Sequence, residues 1–175
     1  MEIIVSHNIS ITPFKSGDDT QLQAKFNSKD VLSQLLEVPN PYTLDAAREW
    51  IYANLKHAKE KNEHLNLVIR MDEALIGGIG QKPGIGENFN HSTEIGYWLS
   101  KEFWGKGIMT KVVSAYANWL VKEKGYQRVT AIPFEHNLAS QRVLEKSGFK
   151  LEGILNKFVL KNGEYINCKL FAYLV

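Results

Sequence analysis

The sequence predicts a mixed α/β fold around a mostly antiparallel sheet. Three features predict it. Two strand-like runs, residues 64–71 and 75–81, follow one another across a tight reversal at Asp72 and Glu73. A strand, a glycine-containing turn, a long amphipathic helix and a second strand occupy residues 94–132. The chain then closes on two strands about Asn162 and Gly163, a dipeptide suited to a type I′ turn.

A chain of 175 residues lies in the usual range for one domain and is long enough to bury a substantial apolar core, so one domain over residues 1–175 is expected. Neither an internal repeat nor a low-complexity tract divides it, and the loosely composed stretch at 82–90, with Pro83, Gly84 and Gly86, reads as a loop. Lys and Arg (21) nearly balance Asp and Glu (19), for a net charge of +2, so no global field favours a nucleic acid and any anion site must be local. Residues 1–10 lack a basic stretch followed by an apolar run, and no run reaches the roughly eighteen apolar residues of a membrane span. A soluble, cytoplasmic protein without a membrane partner is the expectation. The single cysteine, Cys168, has no partner for an intramolecular disulfide and reads as a strand residue. His7, His57, His64, His91 and His136 show no metal-ligand spacing, and no metal is expected.

Taken in order, residues 9–14 read as a strand and 18–27 and 29–37 as helical pieces. Pro39 and Pro41 break the chain, after which Thr43 is placed to cap a helix over 44–62 with Ala47, Trp50, Ile51, Asn54 and Leu55 at helical spacing. The two strands at 64–71 and 75–81 and a third at 93–99 form an antiparallel meander. Ile108, Met109, Val112, Tyr116, Trp119 and Leu120 line one side of the next helix, and Thr110, Lys111, Ser114, Asn118 and Lys122 the other, until Gly125 stops it. A strand at 128–132 follows, then a short helix capped by Asn137 and closed by Gly148, a strand at 149–155, and the terminal hairpin.

The turn Trp104, Gly105, Lys106, Gly107, Ile108, Met109 lies between a strand and a helix. This arrangement offers unpaired backbone N–H groups and a helix dipole to an anion. Gly105 and Gly107 lack side chains that would hold a phosphate away, and Lys106 adds a charge. By itself the pattern also fits a flexible connection. The longer phosphate loop and the three-glycine dinucleotide fingerprint are both absent.

The company the turn keeps is more specific. Glu94, Ile95, Gly96, Tyr97, Trp98, Leu99 before it, and Asn137, Leu138, Ala139, Ser140, Gly148, Phe149, Glu152, Gly153 after it, resemble the GNAT N-acetyltransferases, within them the RimJ/RimL-like branch. The likeness spans residues 39–174 and includes PYTLDAAREWI. It implies a central mixed sheet with splayed parallel middle strands, flanked by helices, and acetyl-coenzyme A as cosubstrate. The superfamily pattern of Gln or Arg, two residues, Gly, one residue, Gly or Ala falls on Trp104, Gly107 and Met109; its first and last positions depart from it. Backbone contacts to the pyrophosphate tolerate such changes provided that Met109 points away. The resemblance places the cofactor on Trp98, Leu99, Trp104, Gly105, Lys106, Gly107, Ile108, Met109, Thr110, Asn137 and Ser140. The backbone of Trp98 and Leu99 would pair with the pantetheine arm. Gly96 and Pro133 fit breaks in the ladder, or simple packing and a strand end. Asn137 is a cap, a pantetheine contact or both.

Direct attack on a thioester needs a neutral amine, a polarised carbonyl and a stabilised leaving thiolate. For the base, the resemblance points to Glu94, with Glu135 and His136 behind it; the plainer reading is a strand-edge Glu facing solvent. For the proton donor, many relatives carry a tyrosine seven residues beyond the Asn, where this chain has Leu144, and RimL-like members offer a serine at the place of Ser140. Ser is also common in the first turn of a capped helix. The acceptor implied is a protein N-terminal amine or a small-molecule amine. Trp50, Tyr52, Phe89 and Trp98 line its pocket or belong to the core. The early helices, the loop at 82–91 and the hairpin from Lys161 to Tyr165 flank its side in relatives. A coenzyme A-binding module without chemistry is the alternative, because Leu144 replaces the tyrosine. The sequence leaves room for a homodimer.

Overall fold

The structure, a computed structural model, describes residues 1–36, 38–39, 41–84 and 86–175. The strands are β1 (Ile3–Ser6), β2 (Ile9–Thr12), β3 (Asn66–Met71), β4 (Ala74–Pro83), β5 (Ser92–Leu99), β6 (Arg128–Ala131), β7 (Lys150–Lys161) and β8 (Glu164–Leu174). The helices are α1 (Asp18–Phe26), α2 (Lys29–Ser33), α3 (Leu44–Lys61), α4 (Ile108–Lys124) and α5 (Leu138–Lys146). The strands form one eight-stranded sheet in the order β1-β2-β3-β4-β5-β6-β8-β7. Strands β5 and β6 run parallel, and the pairs β1·β2, β2·β3, β3·β4, β6·β8 and β7·β8 run antiparallel. This is the mixed α/β, mostly antiparallel fold that the sequence predicts.

Two compact units divide the chain, one of Met1–Gly80 with Tyr97–Lys106, the other of Gln81–Gly96 with Gly107–Val175. In the first, β1 is an element that sequence reading omits: Ile3, Ile4 and Val5 are too short a run to stand out, and only Ile3 is buried. The helical piece expected at 29–37 ends at Ser33, and its expected last residue, Glu37, lies outside the described residues. Thr43 caps α3 as expected, its hydroxyl accepting from the Ala46 N–H at 3.1 Å. The α3 stripe is buried only at Ala47 and Ile51, while Trp50 and Leu55 stay exposed. Leu22, Phe26, Val31, Tyr42, Ala47, Ile51, Val68 and Leu75 make the core here. Arg70 and Asp18, both buried, pair at 2.7 Å, and Arg70 Nε donates to Thr12 Oγ1 at 2.7 Å, so the buried charges are bonded rather than stranded. The reversal between β3 and β4 places Asp72 at φ +47° and Glu73 at φ +69°, both left-handed, as a tight hairpin turn requires.

In the second unit, α4 buries Ile108, Met109, Val112, Val113, Tyr116, Ala117 and Leu120 and stops at Gly125, φ +75°. Trp119, expected on that face, stays half-buried and stacks on Tyr116 with ring centroids 5.8 Å apart. Val129, Ala131, Phe134, Leu144, Phe149, Cys168 and Phe171 are buried, so Cys168 is the strand residue expected. Strand β7 runs beyond the expected end at 155, because its register with β8 shifts between Leu155 and Val159 rather than stopping. The terminal hairpin turns on Asn162 (φ +53°) and Gly163 (φ +82°), between the paired residues Lys161 and Glu164. Among the described residues no helix is long and apolar enough to cross a membrane.

Candidate active site

Strand β5 carries the first group of site residues. Its parallel pairing with β6 runs from Ser92↔Arg128 to Glu94↔Thr130, and among the described residues goes no further, although β5 continues to Leu99. Alternation buries Thr93 and Ile95 and leaves Glu94 and Gly96 on the more open face. A Cβ at Gly96 would meet nothing within 4 Å. Burial raises the Glu94 pKa above its ordinary value, and the nearby Lys82 charge works in the opposite direction. The shift makes the half-buried carboxylate a stronger base than an exposed one.

Beyond Gly96 the strand turns its polar groups in a defined way. The Ser100 N–H donates to the Ile76 carbonyl at 2.9 Å, and a Cβ built on Gly77 would stand 2.5 Å from the Trp98 carbonyl oxygen. The Trp98 carbonyl therefore faces β4. Its ring lies over Gly78, where a Cβ would be 2.5 Å from the indole nitrogen, and tilts against Phe26 with centroids 4.4 Å apart. Of the aromatic residues considered for an acceptor pocket, Trp98 packs against the core of the first unit, whereas Trp50, Tyr52 and Phe89 are exposed.

The turn itself begins with a short 3-10 segment, Lys101–Phe103. Trp104 reaches back from it, its indole N–H donating to the Leu99 carbonyl at 2.7 Å. No sequence signal marks this bond, since nothing in residue spacing shows where an indole points. Gly105 (φ +73°) and Gly107 (φ +72°) both adopt the left-handed conformation, and a Cβ on either would meet nothing within 4 Å. Lys106 holds its ammonium 5.5 Å from the centre of the Phe103 ring. Helix α4 starts on Gly107 with no side-chain cap. Its first-turn amides are thus not taken by a capping side chain. Ile108 and Met109 are buried, and the Thr110 carbonyl accepts from the Ser147 hydroxyl at 3.1 Å.

At the start of α5 the Asn137 side-chain oxygen accepts from the Ser140 N–H at 3.0 Å, and Ser140 is half-buried. Pro133 lies past the end of β6, its carbonyl bonded to the Lys169 N–H at 3.0 Å. Glu135 is bonded to Asn167 twice, through its own N–H at 2.8 Å and through its carboxylate at 3.0 Å. Asn167 also accepts from the Lys157 N–H at 2.9 Å, filling the irregularity in β7. Sequence reading misses this role of Asn167, because it depends on register. His136 is exposed beside Phe134. Leu144 is fully buried and supplies no hydroxyl.

The acetyltransferase (GNAT) domain family model matches residues 8–150. The chain belongs to the GNAT acetyltransferase family. A Bacillus subtilis (strain 168) relative, "Probable N-acetyltransferase YjcK", is 31% identical over 171 residues, covering 95% of this chain and 93% of its own. The [ribosomal protein uS5]-alanine N-acetyltransferase of Escherichia coli (strain K12) is 26% identical over 94 residues, 54% of this chain and 48% of its own. Among solved structures, RimL, a ribosomal L7/L12 alpha-N-protein acetyltransferase in complex with coenzyme A, superposes with a TM-score of 0.85 at 23% identity over 100% of this chain and 98% of its own, a likeness of fold. This GNAT protein is therefore an acetyl-transferring enzyme of the RimJ/RimL-like branch.

Proposed function

We propose that this enzyme moves the acetyl group of acetyl-coenzyme A to a primary amine by direct attack, with a protein amino terminus of the ribosomal-protein type as the acceptor. The observation that carries the cofactor reading is the pair of left-handed glycines, Gly105 and Gly107, at the start of a helix that no side chain caps. Gly105, Lys106, Gly107, Ile108, Met109 and Thr110 supply backbone N–H groups to the pyrophosphate, and the helix dipole adds to them. Relatives support the acceptor, since they are named for ribosomal-protein amines and one was solved with coenzyme A.

On the chemical side, Leu99 presents the edge of β5 turned from β4, where its N–H pairs with the pantetheine arm and polarises the thioester carbonyl. The Trp98 ring holds that strand in place. Asn137 keeps its side-chain oxygen on the Ser140 N–H and offers Nδ2 to a pantetheine carbonyl. Glu94 takes the proton from the incoming ammonium through water. As the new C–N bond forms and the C–S bond breaks, the attacking nitrogen gives up its second proton to solvent water, and the departing thiolate takes its hydrogen bond from the Ser140 hydroxyl and its proton from solvent. An α-amino group, with a pKa of about 8, needs less help from a base than a lysine at about 10.4. That difference favours amino termini over lysines.

A small-molecule amine is the second acceptor class. The exposed Tyr52, Phe89 and Tyr165 are free to meet an acceptor of either kind. The deciding experiment measures free coenzyme A thiol released from acetyl-coenzyme A with amino-terminal peptides, polyamines and aminoglycosides. Release with Ser- or Ala-initiated peptides supports the reading. Calorimetric binding without release on any acceptor would leave a binding module.

A further inference from the structure

The peptide between Leu99 and Ser100 is held on both sides. Its N–H, belonging to Ser100, donates to the Ile76 carbonyl of β4 at 2.9 Å. A trans peptide points its two polar groups in opposite directions, so the Leu99 carbonyl faces away from β4. On that side the Trp104 indole N–H meets it at 2.7 Å. The chain between is wound by bonds from the Phe103 N–H to the Ser100 carbonyl at 3.0 Å and from the Trp104 N–H to the Lys101 carbonyl at 3.1 Å. The closed loop delivers the backbone to Gly105 at φ +73°. Trp104 is 43% exposed, so burial of the ring contributes only part of what holds it, and the short hydrogen bond gives the loop its direction. Trp104 also stands where the superfamily pattern has Gln or Arg, side chains that donate through nitrogen.

We propose that Trp104 is a positioning residue for the pyrophosphate end of the cofactor. Its indole N–H ties the phosphate turn to the last carbonyl of β5. This rests on the coenzyme A reading above, and the tests separate the two.

Trp104→Phe keeps an aromatic ring and removes the donor. Its KM for acetyl-coenzyme A is expected to rise about tenfold, as for misaligned bonds to a charged group, with a far smaller change in kcat. Its KM for S-acetyl-pantetheine, which lacks the pyrophosphate, should match that of the unaltered protein. An unchanged KM for acetyl-coenzyme A overturns the proposal, and so does an equal rise for both donors, which would mark Trp104 as packing for the strand. Hydrogen exchange at the Trp104 indole N–H of the unaltered protein gives a second reading that does not depend on a variant folding. Protection supports the proposal, and exchange as fast as that of a free indole overturns it. If calorimetry shows no coenzyme A binding by the unaltered protein, the cofactor reading fails and this inference falls with it.

Discussion

Helix α5 starts under a filled cap, with the Asn137 side-chain oxygen 3.0 Å from the Ser140 N–H, whereas α4 starts on Gly107, which has no side chain to offer its first turn. Both are in the second unit, and both follow a strand of the same sheet. At α5 a side chain satisfies the helix from within. At α4 the amides are left for something brought from outside, and the left-handed glycine removes the Cβ that would stand in its way. Starting on glycine rather than on a side-chain cap gives up only about a few tenths of a kcal/mol, so an open start is cheap to keep. The contrast is what the proposed function builds on: an anion at the uncapped start of α4, and a start of α5 that is satisfied from within.

The largest test concerns Glu94, the proposed base. Burial makes folded Glu94 hold its proton above the ordinary carboxylate range. A base must be deprotonated, so kcat/KM should rise with pH through that elevated pKa, a limb lying above the usual Glu value of about 4.3. In Glu94→Gln the limb should disappear and turnover at neutral pH should fall about a hundredfold, with cofactor affinity unchanged. The deficit should narrow at high pH, where the amine loses its proton unaided. Rates that match the unaltered protein across pH would remove Glu94 as the base. The stability sign runs the other way. Because the folded state binds this proton more tightly than the unfolded chain, stability from this group is full below the unfolded pKa and is lost as pH rises through the folded one. Glu94→Gln should thus be the more stable protein at neutral pH in chemical denaturation, and the advantage should vanish in acid.

Gly107→Val addresses the open start directly. A branched side chain at φ +72° is strained and stands where the phosphate approaches, so calorimetric affinity for coenzyme A should drop about tenfold or more, at about 1.5–3 kcal/mol for each bond lost to a charged group. An unchanged affinity would place the anion elsewhere. The capped start gives the smallest effect and the finest distinction. Asn137→Ser keeps an oxygen for the Ser140 N–H, so its melting temperature should hold while the KM for acetyl-coenzyme A rises about fivefold for one neutral hydrogen bond. Asn137→Ala loses the cap as well and should melt about 2–4 °C lower. If both variants change only in stability, Asn137 is a cap and nothing more.

The architecture was legible where a local rule acts alone. Thr43 before an apolar-periodic run, Gly125 after one and Asn162 with Gly163 between strands each dictate backbone geometry through their own side chain or lack of it. Tertiary choices were not legible. The periodicity of α3 marks Trp50 and Leu55 as core candidates, but a helix with one covered face buries only the residues nearest its centre, here Ala47 and Ile51. Strand β7 outruns its expected end because Asn167 of the opposite strand fills the irregularity, a fact of register. The candidate site divides in the same way. Gly105, Gly107 and the Asn137 cap follow from sequence, whereas the Trp104 bond to Leu99 and the Lys82 charge near Glu94 appear only when separate segments meet.

The pairing of β5 with β6 that stops at Glu94 and Thr130 has a consequence for the empty enzyme. Sheets usually bear their unpaired edges at the periphery, where charge or proline guards them against joining other chains. Here Ile95 and Gly96 carry such an edge into the interior of the strand order, flanked by an aliphatic side chain and by none. In the proposed function, the pantetheine arm seated along it would act as a surrogate strand and shield it. Between turnovers, when the seat is vacant, the sheet is most open to self-association, so saturating coenzyme A should slow aggregation on heating by more than mass action on folding alone provides.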